Sequence, residues 1–197
     1  MTGEVKAAAA LRRFIGELQD SLDCDFPLDA KIASVKESLT RLLAQPGWLP
    51  EPARAPDREG YARHLLYRQA DDGFVLVAMV WGPGQATAIH DHAGVWCVEG
   101  VYEGLVEVKR YDLREESGAR VRMTPGEVIR AGVGSCGALI PPVEHHQIAN
   151  ATRDTAISLH VYGKNLETCH VFQPLGGDLY ERGTRSLSYH SVIPLSL

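Results

Sequence analysis

From about Leu65 onward, the chain is a succession of short runs rich in valine, isoleucine and aromatic residues, divided by glycine, proline and aspartate. The clearest runs are FVLVAMVW, LVEVKRYDL, EVIRAG and AISLHVY. Each run has the length of a strand, and its composition is typical of β-structure. Several short strands at nearly regular spacing predict a β-sandwich or a β-barrel.

The N-terminal quarter has a different pattern, because its apolar residues recur at helical spacing. The two predicted helices carry the apolar positions Leu11, Phe14, Ile15 and Leu18, then Ile32, Val35, Leu39, Leu42 and Leu43. The second pattern stops near Pro46 and Gly47, which are typical helix-ending residues. A length of 197 residues with 45% hydrophobic residues suits one core. We therefore expect a single, mainly β domain over residues 1–197, in which a helical part (1–60) packs on one outer face or end of a barrel (61–197).

The charge balance limits the class of partner. The chain has 20 basic and 25 acidic residues, a net charge of −5, and no basic tract that would bind nucleic acid or an anionic membrane. The first twenty residues have no unbroken apolar run, and the four cysteines have no paired short spacing. We therefore expect a cytoplasmic protein with individual thiols and a small-molecule ligand.

Histidines provide the most specific signal. His90 and His92 are two positions apart in an extended segment, so both rings point to the same face and can reach one metal ion. A third histidine, His146, lies in the later segment PPVEHHQIAN. His145 is the competing choice for this third ligand, but the strand period of two turns it to the opposite face.

The two segments together have the form of the double motif of cupins. The matching positions are Gly84, His90, His92 and Gly104 in the first motif, and Pro141, His146 and Asn150 in the second. Cys97 occupies the position of the motif's glutamate. Three neutral imidazoles leave a divalent metal its whole charge and at least two open positions, which favours an anionic ligand. Zinc also accepts three histidines, so the ligand set alone does not choose between zinc and iron.

Between Tyr61 and Phe172 the sequence resembles the cysteine dioxygenase family of cupins, in particular bacterial members with an arginine in the substrate pocket. These non-haem iron enzymes oxidise a thiol to a sulfinate with dioxygen. The resemblance lies in the three histidines, the cysteine in place of glutamate, and the blocks YAR, SLHVY and TCHVF. It implies a cupin jelly-roll barrel, Fe(II) held by His90, His92 and His146, and a small thiol carboxylate and O2 as substrates.

The resemblance also implies how substrate is bound. Arg63, with Tyr61 beside it in the YAR block, falls where the family's carboxylate-binding arginine lies. A guanidinium holds a carboxylate at two points, which a lysine ammonium does not match. Arginine here is similar to the cysteine enzymes, whereas many bacterial relatives that prefer 3-mercaptopropionate carry glutamine. Arg63 therefore favours L-cysteine, which would be converted to cysteine sulfinate.

Ser158, His160 and Tyr162 alternate along one predicted strand, so their side chains share a face and can form a hydroxyl–imidazole–phenol relay. The resemblance implies that Tyr162, supported by the other two, donates a hydrogen bond near the substrate or oxygen. It also allows a thioether between Cys97 and Tyr162, as in animal-type members. Trp96 and the loop after Tyr162 are instead similar to the 3-mercaptopropionate branch.

This mixture leaves several functions open. Within the dioxygenases, 3-mercaptopropionate and mercaptosuccinate are alternative substrates to cysteine. A non-catalytic cupin that binds a small anion through its metal or Arg63 is an alternative of another class. A metal-dependent isomerase or hydrolase on the same barrel is a third possibility, and it would turn over without consuming oxygen. The predicted proton relay favours an enzyme over a binding module.

Overall fold

The structure is a computed structural model that describes residues 3–193, so residues 1–2 and 194–197 of the predicted domain lie outside the described residues. Helices α1 (Gly3–Asp23) and α2 (Leu28–Leu43) come first, followed by a short 3-10 helix (Glu51–Arg54). The strands are β1 (Ala62–Arg68), β2 (Val75–Trp81), β3 (Ile89–His90), β4 (Cys97–Glu103), β5 (Leu105–Ser117), β6 (Arg120–Gly132), β7 (Cys136–Leu139), β8 (His146–Ala149), β9 (Ala156–Tyr162), β10 (Thr168–Gly176), β11 (Leu179–Ser186) and β12 (Ser191–Val192).

The strands form two sheets. One sheet has the strand order β12-β1-β2-β9-β4-β7, and its pairs are antiparallel except for β1 with β12. The other has the order β10-β11-β6-β5-β8-β3 and closes on itself, because the short strand β3 pairs with β8 on one side and β10 on the other. The predicted mainly β jelly-roll fold is confirmed. The assignment of the whole chain to one domain stays a prediction.

The two helices cover the outer face of the first sheet. Their predicted apolar positions are all buried, and they share a core with alternate residues of β2, including Leu76, Ala78 and Val80. The other residues of β2, such as Val77 and Trp81, face the interior of the barrel. With both faces covered, every residue of β2 and of β9 is buried. The two helices therefore pack against one face of this sheet.

This arrangement delivers the candidate residues to one place. Strand pairing sets His90 directly opposite His146, while β9 carries Ser158, His160 and Tyr162 across the barrel interior. The turn after β4 is fixed by Gly104, whose φ is +75° and whose added Cβ would lie 2.9 Å from the Cα of Ala156. No helix within residues 3–193 has the length and hydropathy needed to cross a membrane.

Candidate metal centre

His90, His92 and His146 form a compact cluster inside the barrel. The ring centroids of His90 and His146 are 4.3 Å apart. The ring centroid of His92 lies 5.4 Å from that of His90 and 5.0 Å from that of His146. One ring nitrogen from each residue lies within 4.8 Å of the others, a spacing that one metal ion can bridge. His90 ends β3, and His92 lies two residues beyond it.

The hydrogen bonds of these rings show which nitrogens are free. His146 Nδ1 lies 2.8 Å from the carbonyl oxygen of Glu144, and His90 Nδ1 lies 3.1 Å from that of Ala88. A carbonyl only accepts, so both Nδ1 atoms carry the proton and both Nε2 atoms keep a lone pair. Buried His146 Nε2 and His92 Nδ1 have no hydrogen-bond partner among the described residues. Orphaned imidazole nitrogens of this kind fit a metal ion.

The three rings also have the protonation state that a metal requires. Burial lowers the pKa of His90 to about 4 and holds the pKa of His92 and His146 well below the usual value. All three are therefore neutral at pH 7, and a metal ion here would meet lone pairs rather than positive charges.

The neighbouring residues of the motif face elsewhere. His145 is half-buried and packs its ring against Phe172, with the centroids 5.1 Å apart, so it does not join the cluster. Asp91 lies between the first two histidines. Its Oδ1 accepts hydrogen bonds from the backbone N–H groups of Ala93 and His170, and its Oδ2 lies 2.7 Å from the ring Nδ1 of His170. These contacts tie the histidine loop to β10.

Arg63 and Tyr61 line the same pocket as the three histidines. Arg63 is only 4% exposed, and no carboxylate of residues 8–193, whose side chains the structure describes, forms an ion pair with it. Its Nη1 donates to the carbonyl of Ser188 at 3.2 Å, whereas its buried Nε has no partner. The ring of Tyr61 is held by stacking on Trp81 at 4.7 Å. A buried, unpaired guanidinium favours an anionic ligand.

Ser158, His160 and Tyr162 share one buried face of β9, as their alternation predicts. Ser158 Oγ lies 2.8 Å from His160 Nε2, and the rings of His160 and Tyr162 stack with centroids 6.0 Å apart. No hydrogen bond joins His160 to Tyr162 among the described side chains; His160 Nδ1 instead lies 3.9 Å from Cys97 Sγ. Tyr162 reaches the metal pocket, where its ring meets that of His92 at 5.3 Å.

Cys97 is fully buried, and its Cα is the direct cross-strand partner of Tyr162. Burial, and secondly the nearby Glu99, raises the pKa of the Cys97 thiol well above its usual value. Two further residues belong to the site but were not predicted from the sequence: Glu99, whose Oε2 lies 3.4 Å from His160 Nδ1, and Arg185, which lines the metal pocket. Alternation along β4 places Glu99 on the same face as Cys97, and this signal was available in the sequence.

The family of the chain follows from comparison with known proteins. The model of the family "Cysteine dioxygenase type I" matches residues 53–174, which include every site residue predicted from the sequence but not Arg185. The chain belongs to the cysteine dioxygenase family. Similar curated proteins are cysteine dioxygenase type 1 of Rattus norvegicus and of Homo sapiens, each 24% identical over 136 residues. The match covers 68% of this chain and 65% of each relative.

Solved structures with a similar chain path include a double-stranded β-helix protein from Klebsiella pneumoniae, at 19% identity and a TM-score of 0.47. That similarity covers 59% of this chain and 88% of the other. The protein TT1209 from Thermus thermophilus has 20% identity and a TM-score of 0.45, over 58% of this chain and 92% of its own.

Proposed function

We propose that this protein is an Fe(II)-dependent thiol dioxygenase of the arginine type found in bacteria, which converts L-cysteine to cysteine sulfinate. The observation that carries the proposal is one pocket that holds three neutral histidines, two of them (His92 and His146) with an orphaned ring nitrogen, beside a buried, unpaired Arg63. Membership of the cysteine dioxygenase family supports the same activity.

His90, His92 and His146 would hold the iron. When bound, iron(II) supplies the redox chemistry that lets a thiolate react with dioxygen. Three neutral ligands suit this task because they leave the ion its positive charge and open positions for an anionic substrate. The family relationship is the reason to choose iron over zinc, which also accepts three histidines.

The protein's own residues would bind and orient the substrate. Arg63 would hold the carboxylate of cysteine by a charge-assisted pair, with the stacked ring of Tyr61 forming the wall beside it. The centres of water molecules have only about 20 Å³ of space in this pocket. Such a narrow pocket suits a small ligand. Two-point binding, through the thiolate and the carboxylate, would fix the sulfur in one orientation for reaction.

Tyr162, His160, Ser158 and Cys97 are the proposed catalytic group. The Tyr162 ring lies against His92, so its hydroxyl would donate a hydrogen bond near the substrate or oxygen. Ser158 and His160 would support it from behind, through their own hydrogen bond and the stacking of the two rings. The reaction adds both atoms of O2 to the substrate sulfur and releases the thiol proton, RSH + O2 → RSO2⁻ + H⁺.

One observation favours mercaptosuccinate as a second candidate substrate. Arg185 lies in the pocket wall with Arg63 and adds a second guanidinium there. A substrate with two carboxylates would use both charges, whereas cysteine and 3-mercaptopropionate would use one.

The experiment is an oxygen-uptake assay of the iron-loaded protein with cysteine, 3-mercaptopropionate, mercaptosuccinate and cysteamine. We expect the fastest uptake with cysteine and a product heavier by two oxygen atoms. Iron binding without oxygen uptake for any thiol would point instead to a non-catalytic cupin. Turnover without oxygen consumption would point to an isomerase or hydrolase.

A further inference from the structure

A second cavity lies inside the barrel next to the metal pocket. Water centres can occupy about 180 Å³ of it, and its walls include valine and isoleucine side chains of β4, β5 and β6. His160 and Ile148 line both this cavity and the metal pocket, so they form part of the wall between them. Two charged side chains of the cavity, Glu99 and Arg110, each have a buried polar atom without a hydrogen-bond partner among the described residues.

Glu99 projects from β4 towards His160. Its side chain is 12% exposed, and its orphaned Oε2 lies 3.4 Å from His160 Nδ1. The competing neighbour of the same nitrogen is Cys97 Sγ at 3.9 Å, and a thiol is a much weaker hydrogen-bonding group than a carboxyl. At this distance, a rotation that brings the carboxyl into line with Nδ1 would give a hydrogen bond between Glu99 and His160, and this bond would satisfy the orphaned Oε2.

On its other side, His160 belongs to a chain of buried hydrogen bonds. The indole N–H of Trp81 donates to Ser158 Oγ at 2.9 Å, and Ser158 Oγ lies 2.8 Å from His160 Nε2. Because Trp81 only donates, the Ser158 hydroxyl proton is free to donate to Nε2, which requires the His160 proton on Nδ1. An ionised Glu99 accepts from that Nδ1–H, so every donor in the chain has an acceptor.

Protonation of Glu99 would reverse the direction of these hydrogen bonds. Its hydroxyl donates to His160 Nδ1, the ring proton moves to Nε2, and Ser158 must accept from both Trp81 and His160. The hydroxyl proton of Ser158 then has no acceptor within the chain. The ionised form of Glu99 is therefore the better complement to the observed Trp81–Ser158 bond.

We propose that Glu99 is a positioning residue that holds the His160 proton on Nδ1, and that it exchanges protons between His160 and the second cavity. The role in turnover rests on the proposed dioxygenase function, because it acts on the reaction through His160 and the Tyr162 ring that stacks on it. The hydrogen-bonded chain itself needs no assumption about the reaction.

The surroundings set the pH at which this exchange operates. The charged and titratable groups that face Glu99 come from five strands, its own included: Cys97, Arg110, Arg130, Cys136, His160 and Tyr162. Burial raises the pKa of Glu99 to about 7, and the positive charge of Arg110 opposes the rise. Burial, and secondly Arg63, lowers the pKa of His160 to about 3, so the ring stays neutral while Glu99 titrates. Glu99 thus gains or loses its proton near neutral pH.

The first test reads the tautomer of His160 directly, by nitrogen NMR of the full-length protein labelled at its histidine rings and loaded with one equivalent of diamagnetic zinc. In the wild type we expect Nδ1–H above the pKa of Glu99, and a shift towards Nε2–H as the pH falls below it. Glu99→Gln should abolish this pH dependence, and Glu103→Gln is the matched control. Glu103 lies on the same strand but is 42% exposed and pairs with Arg54 at 2.6 Å, so its replacement should leave the titration unchanged.

The second test is the pH profile of kcat/KM in the iron-loaded enzyme. The wild type should lose about tenfold between about pH 8 and pH 6, whereas Glu99→Gln should be nearly flat over this range. A His160 tautomer independent of pH in the wild type, or the same titration in Glu99→Gln, would overturn the proposal. So would a second equivalent of zinc that bound through Cys97, Glu99 and His160, since Glu99 would then be a metal ligand. If the wild type oxidises no thiol, the proposed function fails while the NMR test still decides the role of Glu99.

Discussion

Replacing Arg63 by alanine tests the choice of substrate. The guanidinium is nearly buried. Among the side chains of residues 8–193 it has no ion pair, and its one hydrogen bond there is to the carbonyl of Ser188. Its Cζ lies 5.0 Å from the ring centroid of Tyr189. The protein therefore leaves most of its hydrogen-bonding capacity free for a ligand, and a substrate carboxylate is its expected partner.

Loss of one partner of a buried charge pair costs about 2 to 5 kcal/mol. At 1.4 kcal/mol for each factor of ten, this corresponds to a loss of about thirtyfold to several thousandfold in kcat/KM for cysteine. The assay is oxygen uptake by iron-loaded Arg63→Ala with cysteine and with cysteamine. Cysteamine has no carboxylate, so its rate should change much less.

Arg68→Ala is the matched control for Arg63→Ala. Arg68 lies on the same strand and its Cζ is 5.9 Å from the same Tyr189 ring, but it is exposed and bonds to Asn165 at the surface. Its replacement should leave cysteine kinetics unchanged. If Arg63→Ala also leaves them unchanged, or lowers both substrates equally, Arg63 does not bind the carboxylate and the case for cysteine loses its main support.

Three further predictions concern the metal, the buried thiol and acid stability. Replacing any of the three clustered histidines, for example His146→Ala, should remove bound iron as measured by metal analysis, whereas His145→Ala should retain it. Cys97 and Tyr162, being cross-strand partners, should form a thioether during turnover, seen as a loss of two hydrogens in intact mass that Cys97→Ala prevents. Burial lowers the pKa of His160 to about 3, so between about pH 6.5 and pH 3 only the unfolded chain binds a proton at this residue. The free energy of unfolding, measured with urea, should therefore fall as the pH drops through that range.

Periodicity was sufficient to predict the two helices and several of the strands. The helical repeats around Leu11 and Leu39 correspond to α1 and α2, and the apolar runs correspond to strands such as β2 and β9. The short strand that closes the second sheet could not be predicted from the sequence. Ile89–His90 is too brief for a periodic pattern, and its existence depends on backbone pairing with β8 and β10.

The same distinction holds for the site. The facing of His90 and His92, and the exclusion of His145, follow from the strand period of two, which is a local rule. Alternation with Cys97 indicates the face of Glu99, but its contact with His160 and the place of Arg185 in the pocket depend on which strands become neighbours in space, and a single sequence does not state this. Each looks in the sequence like an ordinary surface charge, the most frequent role of arginine and glutamate.

The location of the carboxylate on β4 connects the metal site to its chemistry. In the cupin motif the glutamate stands at the position that Cys97 occupies here, whereas this chain has its carboxylate two residues later, at Glu99. A step of two keeps the side chain on the same face of the strand but moves it about 7 Å along β4. There the carboxylate faces His160 and Arg110 rather than the three histidines. The shift leaves the three-histidine cluster with neutral ligands, which would favour the anionic thiolate of the proposed substrate, and places the negative charge where it would hold the proton of His160 in the proposed role of Glu99.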